Sequence, residues 1–491
     1  MIIGRSDGWR RISSLGKREN IPFVALLIFL PLTFVIGGGS RSDVQSLVLL
    51  RPMAVLFCGL ATLTLRPVHW QSRRGLVTLA AAVFLLVGVQ LIPLPPGIWS
   101  QFPGRDLVSH IDATAGLGDI WRPLTLSPTG TRNALFALFV PLAALLLGIQ
   151  LTRAQLTRVA MAVLIVGLLS GMLGLLQSIG PTQGPLYFYR ITNHGAAVGL
   201  FSNRNHQAIF LATLFPLLAL YASQTARSPD HARFKLWVAL AAGLFLVPLL
   251  LVTGSRAGLV LGVVAIAASL KLYTPPPVSG IDRRRHKPRS SGLLWLGIGG
   301  GVLALGLLGT LMSRAEALQR IAKGDVGEDL RFQVWGPIAD LMIKNFPVGT
   351  GFGSFPNIYQ VQEAYGLLIP NYLNHAHNDW LEVALEGGLP AVALVGIAGI
   401  FFLKAAVGLL RNRKAPAADT QLALTGALII IIFAAGSVAD YPLRTPSIAC
   451  IAILAALWMT NSRSPDAKDA RNADPNTAGI VPVIKLGGVH A

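Results

Sequence analysis

The stretch LTRVAMAVLIVGLLSGMLGLLQS, residues 156–178, decides the fold class. After Arg158 no Asp, Glu, Lys or Arg appears until Arg190. A helix rises 1.5 Å per residue, so roughly 20 apolar residues cross a ~30 Å hydrocarbon layer. Comparable runs lie near 21–38, 44–65, 76–94, 133–150, 206–223, 236–252, 256–272, 292–312, 389–410, 421–439 and 445–461. Together they predict an all-α, polytopic transmembrane bundle of about twelve spans, which occupies residues 21–461. The second run contains Arg51, and the seventh and eighth are divided only by Thr253–Gly254–Ser255. The first run lacks a small-residue cleavage site and reads as an anchoring span.

Composition agrees. The chain is 53% hydrophobic and 13% charged, with a mean hydropathy of +0.59, whereas a soluble domain carries about 25% charged residues. Cys58 and Cys450 both fall inside apolar runs and read as packing residues, not as a disulfide or a thiolate metal site. A net charge of +19 invites a nucleic-acid reading, but Lys and Arg concentrate in the cytoplasmic loops of membrane proteins. With residues 1–20 cytoplasmic, the even-numbered gaps return inside. They hold Arg66, Arg73 and Arg74; Arg153 and Arg158; Arg227, Arg233 and Lys235; the 271–289 cluster; and Lys404 to Lys414. These, with the two ends of the chain, outnumber the basic residues of the odd gaps by roughly two to one. No nucleic-acid partner is expected; membrane lipids are. The polar stretch that opens the 462–491 tail is expected to be disordered and cytoplasmic.

Three long segments, 95–132, 179–205 and 313–388, then face the extracytoplasmic side. The third reads as a helical lid. Apolar spacing through Leu330–Val334 and Ile338–Ile343 marks one helix face, Pro347 ends it, and Gly349–Thr350–Gly351–Phe352–Gly353 reads as a flexible turn. His375–Ala376–His377–Asn378–Asp379–Trp380–Leu381–Glu382 follows, and a short interfacial helix is expected to stop at Gly387–Gly388 before Pro390 opens the next span. The two histidines admit three roles: metal ligands, anchors of a loop through imidazole–backbone hydrogen bonds, or a general base. Their spacing matches no strong zinc pattern. Arg204, Arg256 and Arg331 fall on the same expected side. Each alone admits snorkelling or a salt bridge, but three with few carboxylates nearby favour an anionic ligand, because guanidinium forks bind diphosphate in pairs of hydrogen bonds.

The set Thr253–Gly258, Arg331 with Trp335, Pro347–Gly351, His375–Asn378, Leu381–Glu382 and Gly387–Gly388 resembles the O-antigen ligase family. That family also holds polysaccharide polymerases and protein O-oligosaccharyltransferases. The resemblance covers roughly residues 200–405, and Pro123–Thr129 looks typical of bacterial members. It implies a GT-C-like, metal-independent glycosyltransferase of the bacterial inner membrane with no cofactor. The implied donor is a glycan on undecaprenyl diphosphate at the periplasmic face; the implied acceptor is a hydroxyl of lipid A–core or of a growing polysaccharide. It also implies that His377 is the catalytic histidine, that Arg256, Arg204 and Arg331 hold the diphosphate, and that His375 and Asn378 orient the loop. A transporter and a non-catalytic component of a glycan-assembly complex are the competing expectations; no internal two-fold repeat supports the transporter.

Overall fold

The computed structural model describes residues 20–278, 333–363, 365–368, 372–411 and 417–460, with the side chains of 367 and 417–419 outside that description. The expected ninth span, 292–312, lies outside the described residues, as does Arg331. The described chain is helical, apart from a two-residue antiparallel ribbon pairing Pro93–Leu94 with Arg122–Pro123.

Helices cover the other expected spans. They are α1 (Ile21–Ile36), α2 (Leu47–Thr64), α3 (Arg74–Val89), α4 (Pro128–Ala137) with α5 (Phe139–Gly148), α6 (Arg153–Ile179), α7 (Arg204–Ala212) with α8 (Leu214–Ser223), α9 (Pro229–Val252) and α10 (Arg256–Leu272). After α11 (Trp335–Asn345) and α12 (Phe355–Gln362) come α13 (Asp379–Arg411), α14 (Ala417–Ala439) and α15 (Pro446–Thr460). Seven of the resulting rods are long and apolar enough to cross a membrane by length and composition, and three shorter ones are apolar. This is a membrane protein. The divisions inside α4–α5 and α7–α8 have one cause: Pro141 and Pro216 lack the N–H that would bond back to Ala137 and Ala212.

The loops sort to two ends of the bundle. At one end, the Gly38 carbonyl accepts from Ser202 N (3.1 Å), the Gly37 carbonyl from Ser447 N (3.1 Å), and the Thr350 carbonyl from Leu126 N (2.8 Å). At the other end, Arg73 donates to Thr460 (2.9 Å), Gln155 to Asn20 (3.0 Å) and Gln421 to Thr274 (2.7 Å). Among the described helices, the loops therefore alternate between the two ends as the hydropathy reading expects.

The α7–α8 rod is the innermost of the candidate spans, with 94% of its apolar window buried. The aromatic rings of Phe34, Phe201 and Phe210 pack at its outer end. Gly258 lets α10 approach α7 so closely that a Cβ there would lie 2.2 Å from the Ala208 Cβ. Small residues at such crossings let apolar helices gain dispersion contacts where lipid gives no hydrophobic drive. The tight contact and the return through α9 bring the N-termini of α7 and α10, carrying Arg204 and Arg256, to the same end.

The segment 349–353 corrects the expectation of a flexible turn. Thr350 N and Gly351 N donate to the Leu385 and Glu386 carbonyls (3.0 and 2.8 Å), and Thr131 donates to the Phe352 carbonyl (2.7 Å). Arg105, fully buried, donates to the carbonyls of Leu124 (2.7 Å) and Gly349 (3.0 Å). Burial pulls its guanidinium down to about 10. These bonds weld the 95–132 segment to the turn, so the glycines serve close approach, not mobility.

Within α13, Gly388 breaks the helix at φ 58°, ψ −154°, and Leu389 N bonds instead to the Pro347 carbonyl (2.8 Å). The expected stop at Gly387–Gly388 is therefore present. A Cβ at Gly388 would lie 2.2 Å from the Pro347 carbonyl oxygen, whereas one at Gly396 meets nothing within 4 Å. Gly388→Ala should lower the thermal midpoint of the detergent-solubilised protein by several degrees. Gly396→Ala should leave it unchanged or raise it, since Ala is favoured over Gly by about 1 kcal/mol inside a helix; equal midpoints for the two variants would contradict the fold at this break.

Candidate active site

Five residues between α14 and α15, Asp440–Tyr441–Pro442–Leu443–Arg444, organise the site. Asp440 is fully buried. Its Oδ1 lies 3.2 Å from His377 Nδ1 and 3.8 Å from His206 Nε2. Its Oδ2 accepts from Asn205 Nδ2 (2.6 Å) and Asn203 Nδ2 (3.5 Å), and Tyr441 N donates to Oδ1 (3.0 Å). Burial alone would push this carboxyl up. The His206 and His377 imidazoles outweigh that and hold it well below the usual carboxylate range. His206 is itself fixed from behind by Thr445 Oγ1, 2.8 Å from its Nδ1.

His377 reaches Asp440 because its backbone is left-handed, φ 50°. Non-glycine residues seldom adopt this region unless their surroundings hold them there. The turn sends the two neighbouring histidines to different carboxylates: His375 Nδ1 lies 2.8 Å from Glu382 Oε1, while Ala376 N donates to Glu382 Oε2 (2.7 Å). Each histidine thus has a carboxylate partner. Among the described residues, no three His, Cys, Asp or Glu side chains gather as a metal-binding group. Asn378 caps α13, its Oδ1 accepting from Trp380 N (3.1 Å) and Leu381 N (3.2 Å). The Tyr441 ring packs against all three imidazoles, with centroids 5.0 Å from His206, 4.4 Å from His375 and 4.9 Å from His377. The side chains of His375 and His377 keep 13% and 12% of their accessibility, enough for a ring edge to face a ligand.

Asp379, Glu382 and Glu386 share one face of α13 at i, i+3 and i+7 and are buried. Arg444 meets all three, at 3.3, 3.3 and 3.0 Å. Burial lowers its proton affinity, but the three carboxylates more than reverse that and raise it above the ordinary arginine value. Ser437 Oγ adds a bond to Asp379 (2.9 Å) and Phe355 N one to Glu386 (3.1 Å). Gln90, at the end of α3, joins the Glu386 carbonyl (3.1 Å) to Phe352 N (2.9 Å). Four carboxylates lie in this site: Asp379, Glu382 and Glu386 meet Arg444, and Asp440 meets His377 and His206.

Arg204 and Arg256 begin α7 and α10. Asn203 and Asn205 flank Arg204 and reach Asp440, which ties that helix start to the His377 carboxylate. Ser255 caps α10 through Gly258 N (3.1 Å). Asp440, Tyr441, Arg444, His206 and Gln90 were missed by sequence reasoning. An Asp and an Arg four residues apart between two apolar runs were the available signal.

Residues 240–396 match a family described as O-antigen ligase. The recognised family is thus the one the motifs indicated. No curated protein matches. The O-antigen ligase stretch runs from the middle of α9 into α13 and contains Arg256, His375, His377 and Glu382. It supports a membrane enzyme of the ligase or polymerase type, with a lipid-linked glycan and an acceptor as the general substrates. Asp440, Arg444 and Arg204 lie outside the matched stretch.

The Asp440 carboxylate gives a pH prediction. Its folded affinity for a proton is depressed, so its contribution is present above the unfolded carboxyl value, about 4, and is lost as pH falls through the lower folded value. Thermal midpoints of the wild type should therefore change little through this group from pH 7 to 5 and fall below pH 4. Asp440→Asn should lower the midpoint across pH 5–7 and flatten the acid limb. Arg444→Met, which leaves three buried carboxylates uncompensated, should cost about 3–5 kcal/mol; adding Glu382→Gln and Glu386→Gln should recover part of that loss.

Proposed function

We propose that the protein transfers a glycan from a polyprenyl diphosphate, of the undecaprenyl type, to a hydroxyl acceptor at the extracytoplasmic face of the bacterial inner membrane. The observation that carries this reading is the His377–Asp440 pair, 3.2 Å apart, at the same end as two helix N-termini that begin with arginine. With its Nδ1 proton donated to Asp440, His377 offers Nε2 as a base. Asp440 fixes the ring and stabilises the imidazolium that forms, as carboxylate partners do in other histidine-dependent sites. The acceptor hydroxyl passes its proton to Nε2 while its oxygen forms the bond to the sugar C1. The C1–O bond to the diphosphate breaks, and the lipid diphosphate departs with the electron pair. Partial proton transfer in the transition state suffices.

Arg204 and Arg256 would bind the departing diphosphate at the starts of α7 and α10, where the helix dipoles also favour an anion. Arg331, outside the described residues, is proposed to join them from the 313–388 segment. His375, held by Glu382, and Asn378, which caps α13, keep His377 in its left-handed conformation. No step calls on a metal or cofactor. Lipid A–core and a growing polysaccharide are the acceptors favoured over a protein Ser or Thr. The transporter and the non-catalytic component are the competing readings; the sequence shows no internal two-fold repeat of the kind transporter folds carry.

The test is a purified assay with a polyprenyl-diphosphate glycan and each acceptor, with and without a chelator. His377→Ala should lower the rate about 10²–10⁴-fold and Arg256→Ala about 10²–10³-fold, with protein level unchanged. Transfer should survive the chelator, and products of increasing length would identify a polymerase. Full surface glycan in a His377→Ala strain would overturn the reading.

A further inference from the structure

A cavity of about 480 Å³ opens beside the histidine loop. His375, Glu382 and Arg444 form part of its wall, whereas His377, Arg204 and Arg256 do not. Toward the outer end it is polar, with Ser40, Tyr372 and Asn374; deeper in, Leu47, Val87, Leu138 and Val395 give it an apolar surface. Arg51 lines it one helical turn inside the start of α2.

Among the described residues, the charges around this cavity pair off, with one exception. Asp43 is held by Arg41 (2.9 Å), which also donates to the Tyr372 hydroxyl (2.5 Å). Asp379, Glu382 and Glu386 are held by Arg444, and Glu382 also by His375. Among the described residues, Arg51 donates to a neutral amide, Asn133 Oδ1 at 3.0 Å, and its buried Nε has no partner. An arginine within a membrane helix is costly unless it pairs or serves a ligand. An apolar cavity with one such fork at its wall fits a molecule that carries both an anionic group and a hydrocarbon chain.

We propose that Arg51 and Asn133 bind the phosphate of a second lipid substrate, whose chain runs along the apolar wall. The role of this lipid as acceptor rests on the glycosyl-transfer reading; the binding does not. In that reading Arg204 and Arg256 hold the donor diphosphate, so the cavity beside His375 takes the phosphate-bearing lipid that anchors the acceptor glycan. This chemistry fits a lipid-borne glycan and does not fit a protein Ser or Thr.

The experiment measures equilibrium binding of decaprenyl phosphate to the full-length protein in zwitterionic nanodiscs, with decaprenol and inorganic phosphate as competitors. Wild type should bind the lipid phosphate at least tenfold more tightly than decaprenol, and inorganic phosphate should compete poorly. Arg51→Gln should weaken binding at least tenfold, Arg51→Lys should restore part of it, and Arg256→Ala should leave the Arg51-dependent component intact. Ala137→Trp, which fills the cavity while leaving Arg51 in place, should block binding and covers the case in which Arg51→Gln fails to fold. Unchanged binding in Arg51→Gln or Ala137→Trp would overturn the proposal, as would equal binding of decaprenol or full competition by inorganic phosphate. In the transfer assay Arg51→Gln should raise the KM for a lipid-linked acceptor and leave that for the donor unchanged. Arg51-dependent binding without any transfer would sink the reaction reading and leave the site standing.

Discussion

Three carboxylates on one face of α13 can be buried together only because Arg444 meets them. Desolvating a charge costs several kcal/mol per ion, and mutual repulsion adds to it. A single guanidinium with five donors in a planar fork offsets much of that cost, and Ser437, His375 and the amides of Phe355 and Ala376 satisfy the remaining oxygens. The network does more than stabilise. It joins the 440–445 turn to the first half of α13; Asp440 sits on that turn and His377 two residues before the helix starts.

The distance between His377 and Asp440 therefore follows from a contact that neither residue makes. Arg444 fixes the turn from one side, and Asn205, reaching from α7, fixes the carboxylate from another. Tyr441 fills the space among three imidazoles, so none can rotate without displacing a buried ring. Water is largely kept from Asp440, and a histidine–carboxylate pair gains strength in such surroundings. The left-handed backbone of His377 is the strain this arrangement sustains, and its turn keeps the ring away from Glu382, which His375 occupies.

The helical fold was legible because lipid imposes one simple rule: a spanning segment must satisfy its own backbone and present apolar side chains. Hydropathy thus located α6, α10 and α14 to within a few residues. The site was less legible. His375, His377 and Arg256 stand in recognisable local patterns, but Asp440 is 63 residues from His377, and no spacing rule joins residues across two spans. The carboxylate cluster was hidden for a related reason. Asp379, Glu382 and Glu386 read in sequence as the polar start of a helix, and only the fold turns that face onto Arg444. The Gly349–Gly353 turn misled in the opposite sense, because glycine signals both mobility and close approach; the Arg105 guanidinium that chooses between them lies more than 200 residues away.

The division between the matched stretch and its flanks has a physical meaning. Residues 240–396 contain the histidine loop, the α10 start and the carboxylate face of α13, yet three carboxylates and a base do not assemble alone. The partner that orients His377 and the cation that permits the carboxylates come from the turn before α15. The asparagines that clamp Asp440 come from the start of α7. A base needs fixed geometry as well as a suitable side chain, so the unmatched spans are part of the catalytic proposal and not a passive anchor. Arg51, on α2, lies outside the matched stretch as well. If it selects the acceptor lipid, the chain separates its tasks in sequence: the matched stretch supplies the base and the flanks determine what the base acts on.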